Sequence, residues 1–121
     1  MKKPGRKVKK SPNTIAISHD YARQQEINTA EYYGGYPTSQ SGAGNIKGDV
    51  RIKGKHTIEC KCTINNSYAL KYDYLEKMME SAASLGEDFF LQLHFIDENG
   101  YKKRGYIIIP EDNIKETLRD G

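Results

Sequence analysis

The sequence has no long apolar run and few cysteines, and these two absences bound the class of protein. No stretch approaches the roughly 20 apolar residues that a membrane-spanning helix needs, so we expect no membrane partner. The basic N-terminus has no apolar segment behind it, so we expect no secretory signal. The two cysteines, Cys60 and Cys62, lie on one predicted strand at a spacing that suits a disulfide poorly. We therefore expect a cytoplasmic protein in a reducing compartment.

Positive charge is concentrated at the N-terminus. Met1–Lys10 holds six Lys or Arg residues and no acid, which leaves 13 basic against 16 acidic residues in the remainder of the chain. With 121 residues, 36% hydrophobic and 29% charged, we predict a flexible basic arm at residues 1–13 and a single domain at residues 14–121. Such an arm favours binding to nucleic acid, although a solubilising tail would look the same. Its candidate DNA contacts are Lys2, Lys3, Arg6 and Lys7.

A β-hairpin is predicted at residues 48–63, GDVRIKGKHTIECKCT. Apolar and polar residues alternate in both halves, which is the period of strands with one buried face. Glycine tolerates the positive φ of a tight turn, so we centre the turn on Gly54. The pairs that this turn predicts are Val50 with Ile58 and Ile52 with His56.

The same register sets two carboxylates, Asp49 and Glu59, directly opposite each other. Like charges in that position destabilise a strand pair, and a divalent cation such as Mg²⁺ is the obvious reason to keep them. Lys61 points to the same face as Glu59, where it could steady a water or the charge developing on a phosphate. Three basic residues lie an even number of positions from Asp49, so they should point to the same face of the strand. They are predicted to face a DNA backbone: Lys47, Arg51 and Lys53.

Two other interpretations of this hairpin stay open. Charged residues on a two-stranded edge are often no more than a solvated polar face. A zinc site is the other interpretation, with His56, Cys60 and Cys62 as ligands, although no CxxC or histidine pair completes a set of four.

The whole chain predicts an α+β fold, with a central mixed sheet flanked by helices. The segments outside the hairpin are a helix at Ser18–Gly35, a turn-rich loop at Tyr36–Lys47, a helix starting within Tyr68–Asp73 and ending near Gly86, strands at Asp88–Ile96 and Tyr101–Ile109, and a short helix at Pro110–Leu118. The first helix is predicted to bury a stripe formed by Tyr21, Ala22, Ile27, Ala30 and Tyr33.

Four pieces of sequence, in this order, resemble small PD-(D/E)XK nucleases of the phage and archaeal Holliday junction resolvase type. They are Gln25-Glu26 with Ala30 and Gly34-Gly35 in the first helix, Ser41-Gly42-Ala43-Gly44 in the loop, Gly48-Asp49-Val50 at the PD half, and Glu59-Cys60-Lys61 at the (D/E)XK half. The helix that follows also looks like the family's, through Ser67, Leu75, Lys77 and Ala82. Gly48 stands where the family often has proline.

The resemblance implies a restriction-endonuclease-like α/β/α core and a Mg²⁺- or Mn²⁺-dependent endodeoxyribonuclease. It implies a homodimer that cuts four-way DNA junctions, in a bacterial host cell if a phage encodes the protein. The metal ligands it implies are Asp49, Glu59, the backbone carbonyl of Cys60, and Glu26. Lys61 would orient the attacking water, and Ser41 would lie near the scissile region. The alternatives are a nicking, repair or restriction-like endonuclease, or a non-catalytic nucleic-acid-binding module.

Overall fold

The computed structural model describes residues 12–38 and 48–114. The predictions for the basic arm and for much of the loop therefore lie outside the described residues. The predicted site residues that fall there are Lys2, Lys3, Arg6, Lys7, Ser41 and Lys47. Residues 111–114 form a helical turn where the terminal helix is predicted. No helix of the described chain combines the length and the apolar character that crossing a membrane requires.

Within the described residues, two helices and five strands form an α+β fold, which confirms the predicted class. Their bounds are α1 Pro12–Tyr33, β1 Tyr36–Pro37, β2 Val50–Ile52, β3 His56–Thr63, α2 Tyr72–Ser84, β4 Asp88–Ile96 and β5 Lys102–Ile108. The strands lie side by side in chain order. The sheet is mixed, because β3 and β4 run parallel while the other neighbours are antiparallel. A parallel pair needs a crossover connection, and α2 provides it.

The β2–β3 hairpin has the register that its alternation predicts. Val50 pairs with Ile58, and Ile52 pairs with His56. Gly54 lies in the turn with a φ of 75°, a left-handed conformation that glycine adopts without steric cost. The positions of the odd-numbered and even-numbered side chains on the two faces of the sheet are therefore those expected from the sequence.

The sheet separates two hydrophobic clusters, one beneath each helix. The cluster under α1 consists of Ala30, Val50, Ile58, Cys60 and Phe90. The cluster under α2 consists of Met78, Ala82, Phe89, Leu91 and Leu93. β4 contributes to both clusters because consecutive residues of a strand point to opposite faces. Its nearly continuous apolar sequence is therefore that of an inner strand, which lies between β3 and β5.

The first helix differs from its prediction in where it begins and in what it buries. α1 starts at Pro12 rather than Ser18, since proline fits the first turn of a helix, where its missing N–H costs no hydrogen bond. Of the predicted apolar stripe, Ala30 alone is buried. The other buried side chains described on this helix are polar: Thr14, Gln25 and Thr29. A polar layer therefore forms much of the contact between α1 and the sheet.

A buried ion pair ties the hairpin to the segment just before β4. The side chains of Arg51 and Glu87 are 10% and 0% exposed, and the guanidinium donates to both carboxylate oxygens. Glu87 also accepts hydrogen bonds from the Gly54 N–H at 2.9 Å and from the Thr57 hydroxyl at 2.7 Å. Burial alone would raise the pKa of Glu87, but these hydrogen bonds lower it. This role leaves no free guanidinium for the predicted DNA contact at Arg51, so the structure does not support that contact.

Candidate active site

Asp49 lies directly before β2 and is fixed by three hydrogen bonds. Its backbone N–H donates to the Ile58 carbonyl, and its carbonyl accepts from the Thr38 N–H, both at 2.9 Å. Its carboxylate Oδ2 accepts from the backbone N–H of Cys60 at 2.8 Å. β2 is paired with β3 only over residues 50–52. Beyond that pairing, the Asp49 side chain accepts the hydrogen bond of a β3 amide that β2 does not reach. The orientation of the carboxylate is therefore set by the backbone of β3.

Gly48 explains why this chain lacks the proline of the family motif. Its φ is 96°, which proline cannot adopt because its ring holds φ near −65°. A Cβ at this position would lie 2.4 Å from the Thr57 methyl group. The close approach of Gly48 to β3 therefore allows Asp49 to reach the Cys60 amide.

Glu59 is a buried carboxyl group that lies beside the carboxyl group of Asp49 and the ammonium of Lys61. Its side chain is 9% exposed, and it shares a hydrogen bond with Asp49. Burial, followed by the hydrogen bond and the negative charge of Asp49, raises the pKa of Glu59 to about 8, while Lys61 opposes the shift. At pH 7, below this value, the carboxyl group of Glu59 therefore holds its proton.

Lys61 is the cation of the site. Its ammonium lies 3.6 Å from Glu59 Oε2 and 5.5 Å from the centre of the Tyr74 ring. The side chain is 36% exposed, so it can meet both the buried carboxylates and a ligand from solution. Tyr74 comes from α2, and its contribution depends on the packing of that helix on β4. No local sequence pattern predicts it.

Glu26 comes from α1 and lies within electrostatic reach of the same site. Burial raises the pKa of this half-buried carboxyl first, the charge of Asp49 raises it further, and Lys61 lowers it. The structure therefore brings all four predicted polar residues of the site into one electrostatic environment: Glu26, Asp49, Glu59 and Lys61.

The Asp49–Glu59 pair suits a divalent metal ion by the chemistry of its donors. Carboxylate oxygens are the ligands that Mg²⁺ prefers, and one or two of them often suffice alongside water and substrate phosphate. A cation can also replace the proton that Glu59 holds. Within residues 12–38 and 48–114, no group of three or more His, Cys, Asp or Glu side chains is arranged to hold a metal. The role of Glu26 at the metal, directly or through water, therefore stays a prediction.

The described residues do not form the zinc site that the hairpin also suggested. The Cys60 thiol lies in the cluster under α1, and burial raises its pKa to about 12. The His56 ring packs edge-on against Phe90, with 5.6 Å between ring centres. Cys62 lies with its sulfur 3.7 Å from the Ser18 carbonyl oxygen. A thiol held neutral in an apolar core is a poor metal ligand, because metals bind the thiolate.

Comparison of this chain with family models, with curated proteins and with solved structures finds no match. The resemblance to PD-(D/E)XK nucleases therefore depends on the four motifs.

Proposed function

We propose that this protein is a metal-dependent endodeoxyribonuclease of the PD-(D/E)XK type, and specifically a resolvase of four-way DNA junctions. The observation that carries the proposal is the contact between the carboxyl groups of Asp49 and Glu59. Two facing carboxylates weaken a strand pair, whereas a divalent cation between them relieves the repulsion. The Lys61 ammonium beside Glu59 adds a group suited to phosphate.

The carboxylates and the backbone of β3 would hold the metal. The Cys60 N–H already orients Asp49. The N–H and C=O of a residue in an antiparallel pair point toward the same neighbour, so the Cys60 carbonyl faces Asp49 and would be the third protein ligand. A bound Mg²⁺ or Mn²⁺ supplies Lewis-acid stabilisation of the negative charge that develops on a phosphate.

Lys61 would orient the attacking water and offset charge on the phosphate. Its contacts with Glu59 and with the Tyr74 ring restrict the ammonium to a small region, which lowers the cost of positioning it. Glu26 would act as a neighbouring acid through water. Its raised pKa means that it holds a proton more readily than an exposed glutamate does.

The resemblance implies a branched DNA substrate, and the distribution of charge supports binding to DNA. The six basic residues of Met1–Lys10 would attach to phosphates, and Lys53 is exposed at the β2–β3 turn. Contacts of this kind read the backbone and the shape of DNA rather than its sequence. A four-way junction offers two equivalent strands, so a two-fold homodimer would place one site on each.

The contact between Asp49 and Cys60 also favours a second function, in which the fold binds nucleic acid without cutting it. The carboxylate of Asp49 accepts a hydrogen bond from the Cys60 N–H, which lies beyond the end of β2. This structural role would account for Asp49 even in a protein that does not cut DNA. The sheet gives no reason for Glu59, whose burial beside Asp49 raises its pKa to about 8. We therefore place the nuclease first.

Cleavage of a labelled four-way junction tests the proposal against its alternatives. With Mg²⁺ the full chain should cut the junction symmetrically on two strands and leave a linear duplex of the same sequence largely intact, and EDTA should stop the reaction. Equal cutting of junction and duplex would instead favour a general PD-(D/E)XK endonuclease. Binding without cutting, in both Mg²⁺ and Mn²⁺, would favour the non-catalytic module.

A further inference from the structure

A cavity of about 460 Å³ lies between α1 and the β4–β5 side of the sheet. It opens on the face that carries Gln92 and His94, whereas Glu59 and Lys61 point to the other face. Its volume is in the range of sites that bind small molecules. None of the described residues that line it is acidic. The candidate active site uses none of its side chains, so this cavity needs an explanation of its own.

The floor of the cavity is a buried cluster of amides and a hydroxyl. Gln92 Oε1 accepts hydrogen bonds from Gln25 Nε2 at 3.0 Å and from the Thr29 hydroxyl at 2.7 Å. Gln25 is 4% exposed, and its own Oε1 finds no hydrogen-bond partner among the described residues. A ligand donor that reaches this oxygen would satisfy it. The floor therefore offers both donors and acceptors to a ligand.

The wall and rim of the cavity are aromatic and cationic. Tyr32 is 82% exposed, and its ring contacts Tyr33 edge-on, with 4.8 Å between ring centres. An aromatic face open to solvent is a stacking platform for a base. Burial, with the charge of Lys102 adding to it, lowers the pKa of His94 to about 4, so the imidazole is neutral at pH 7. Lys102 therefore supplies the positive charge of the described lining.

We propose that this cavity binds a single nucleobase that is not paired in a duplex. The base would stack on Tyr32 and meet Gln25 and Gln92 with its hydrogen-bonding edge, as amide side chains do with adenine. Its phosphate would lie near Lys102. The base can come from an unpaired position in a strand or from a free nucleotide. The proposal shares a nucleic-acid partner with the proposed function but requires neither the metal nor cleavage.

A connection to the candidate active site runs through Gln25. Its Nε2 donates to the Lys61 carbonyl at 3.2 Å, so the same side chain touches the cavity and the backbone of the residue that carries the ammonium. A base held here would lie across β3 from the Asp49–Glu59 pair. For a branched DNA, this places an unpaired nucleotide on the opposite side of the sheet from the scissile phosphate.

Fluorescence anisotropy in EDTA tests the proposal without cleavage. The probes are a labelled duplex with one bulged adenine, the fully paired duplex of the same sequence, and free dAMP as competitor. The full chain should bind the bulged duplex about fivefold or more tightly than the paired one, since stacking of one base has a measurable share in binding. Tyr32→Ala should remove this preference and Tyr32→Phe should keep it. Tyr72→Ala is the matched control, because Tyr72 is 73% exposed on α2.

The outcomes separate the possible occupants. A preference for the bulge that depends on Tyr32 supports an unpaired base in a strand. Competition by dAMP that depends on Tyr32, with equal binding of the two duplexes, supports a free nucleotide. The proposal is overturned if neither effect occurs in the wild type, or if Tyr32→Ala changes the oligomeric state and leaves ligand binding intact. A loss of junction cleavage in Mg²⁺ would bear on the nuclease alone.

Discussion

The carboxylate of Asp49 accepts a hydrogen bond from the backbone N–H of Cys60 at 2.8 Å. This contact joins the residue before β2 to the middle of β3. It also holds Asp49 against Glu59, which shares a hydrogen bond with it. One side chain therefore has a structural role and a proposed catalytic role, and substitutions must separate the two.

Two substitutions of Asp49 should differ in stability. Asp49→Asn keeps an oxygen for the Cys60 N–H and replaces a negative charge beside Glu59 by a possible donor, so the free energy of unfolding should not fall. Asp49→Ala leaves a half-buried N–H unpaired and should lower the free energy of unfolding by about 1–3 kcal/mol. Urea denaturation of both variants measures the difference. Equal stability of the two would show that the contact with Cys60 contributes little.

The raised pKa of Glu59 predicts a decrease in stability as pH rises. The folded protein, with a pKa of about 8, holds this proton more tightly than the unfolded chain, whose glutamates titrate near 4.5. Between these values the folded state binds more protons, so the free energy of unfolding should fall as pH rises through this window. Thermal melts without metal, from pH 5 to pH 8.5, would measure it.

Glu59→Gln serves as the control for that series, because it removes the titrating group and keeps the shape of the side chain. The decrease with pH should be smaller in this variant. Added Mg²⁺ should stabilise the wild type more at high pH than at low pH, since the cation competes with a proton for the pair. A wild-type profile that matches the variant would contradict the raised pKa of Glu59.

The ion pair between Arg51 and Glu87 should be important for stability. Glu87→Gln leaves the guanidinium without its charged partner inside the protein, and breaking a buried pair in this way costs about 3–5 kcal/mol. Replacing both residues by apolar ones, as in Arg51→Met with Glu87→Leu, should recover part of the loss. Urea denaturation of the single and double variants tests this. A single variant within about 0.5 kcal/mol of the wild type would contradict it.

Tyr74 should affect cleavage through its ring rather than its hydroxyl. The hydroxyl is buried and has no hydrogen-bond partner among the described residues, whereas the ring lies beneath the Lys61 ammonium. Tyr74→Phe should therefore keep stability and cleavage, while Tyr74→Leu should slow cleavage several-fold by releasing the ammonium. Rates at saturating junction, with folding checked by circular dichroism, measure the two effects. Equal rates in both variants would remove Tyr74 from the site.

Local patterns predicted the parts of the fold that depend on near neighbours in sequence. Alternation about Gly54 predicted the register of β2 and β3, because a one-residue slip would have exposed Val50 and Ile58. The bounds of β4 also match their prediction, since its apolar run is terminated on both sides by turn-forming residues.

Contacts between distant residues could not be predicted in the same way. The alternation of the strand predicted that Arg51 lies on the same face as the carboxylates. It could not predict that the guanidinium binds Glu87, which is 36 residues away. Nothing local shows that Gln25 on α1 meets Gln92, which is 67 residues away. The register of the hairpin predicted that Asp49, Glu59 and Lys61 share a face, and the resemblance added Glu26. Tyr74 belongs to no local pattern and no motif.

The most direct test of the central claim is cleavage of a four-way junction in Mg²⁺ by Asp49→Asn and Glu59→Gln. Both should lose cleavage on the order of 100-fold or more and still bind the junction, because each removes a proposed metal ligand without disturbing the sheet. Glu98→Gln, at an exposed acid in the β4–β5 turn, should cut like the wild type. Full activity in either Asp49→Asn or Glu59→Gln would contradict the assignment of this pair as the catalytic metal site.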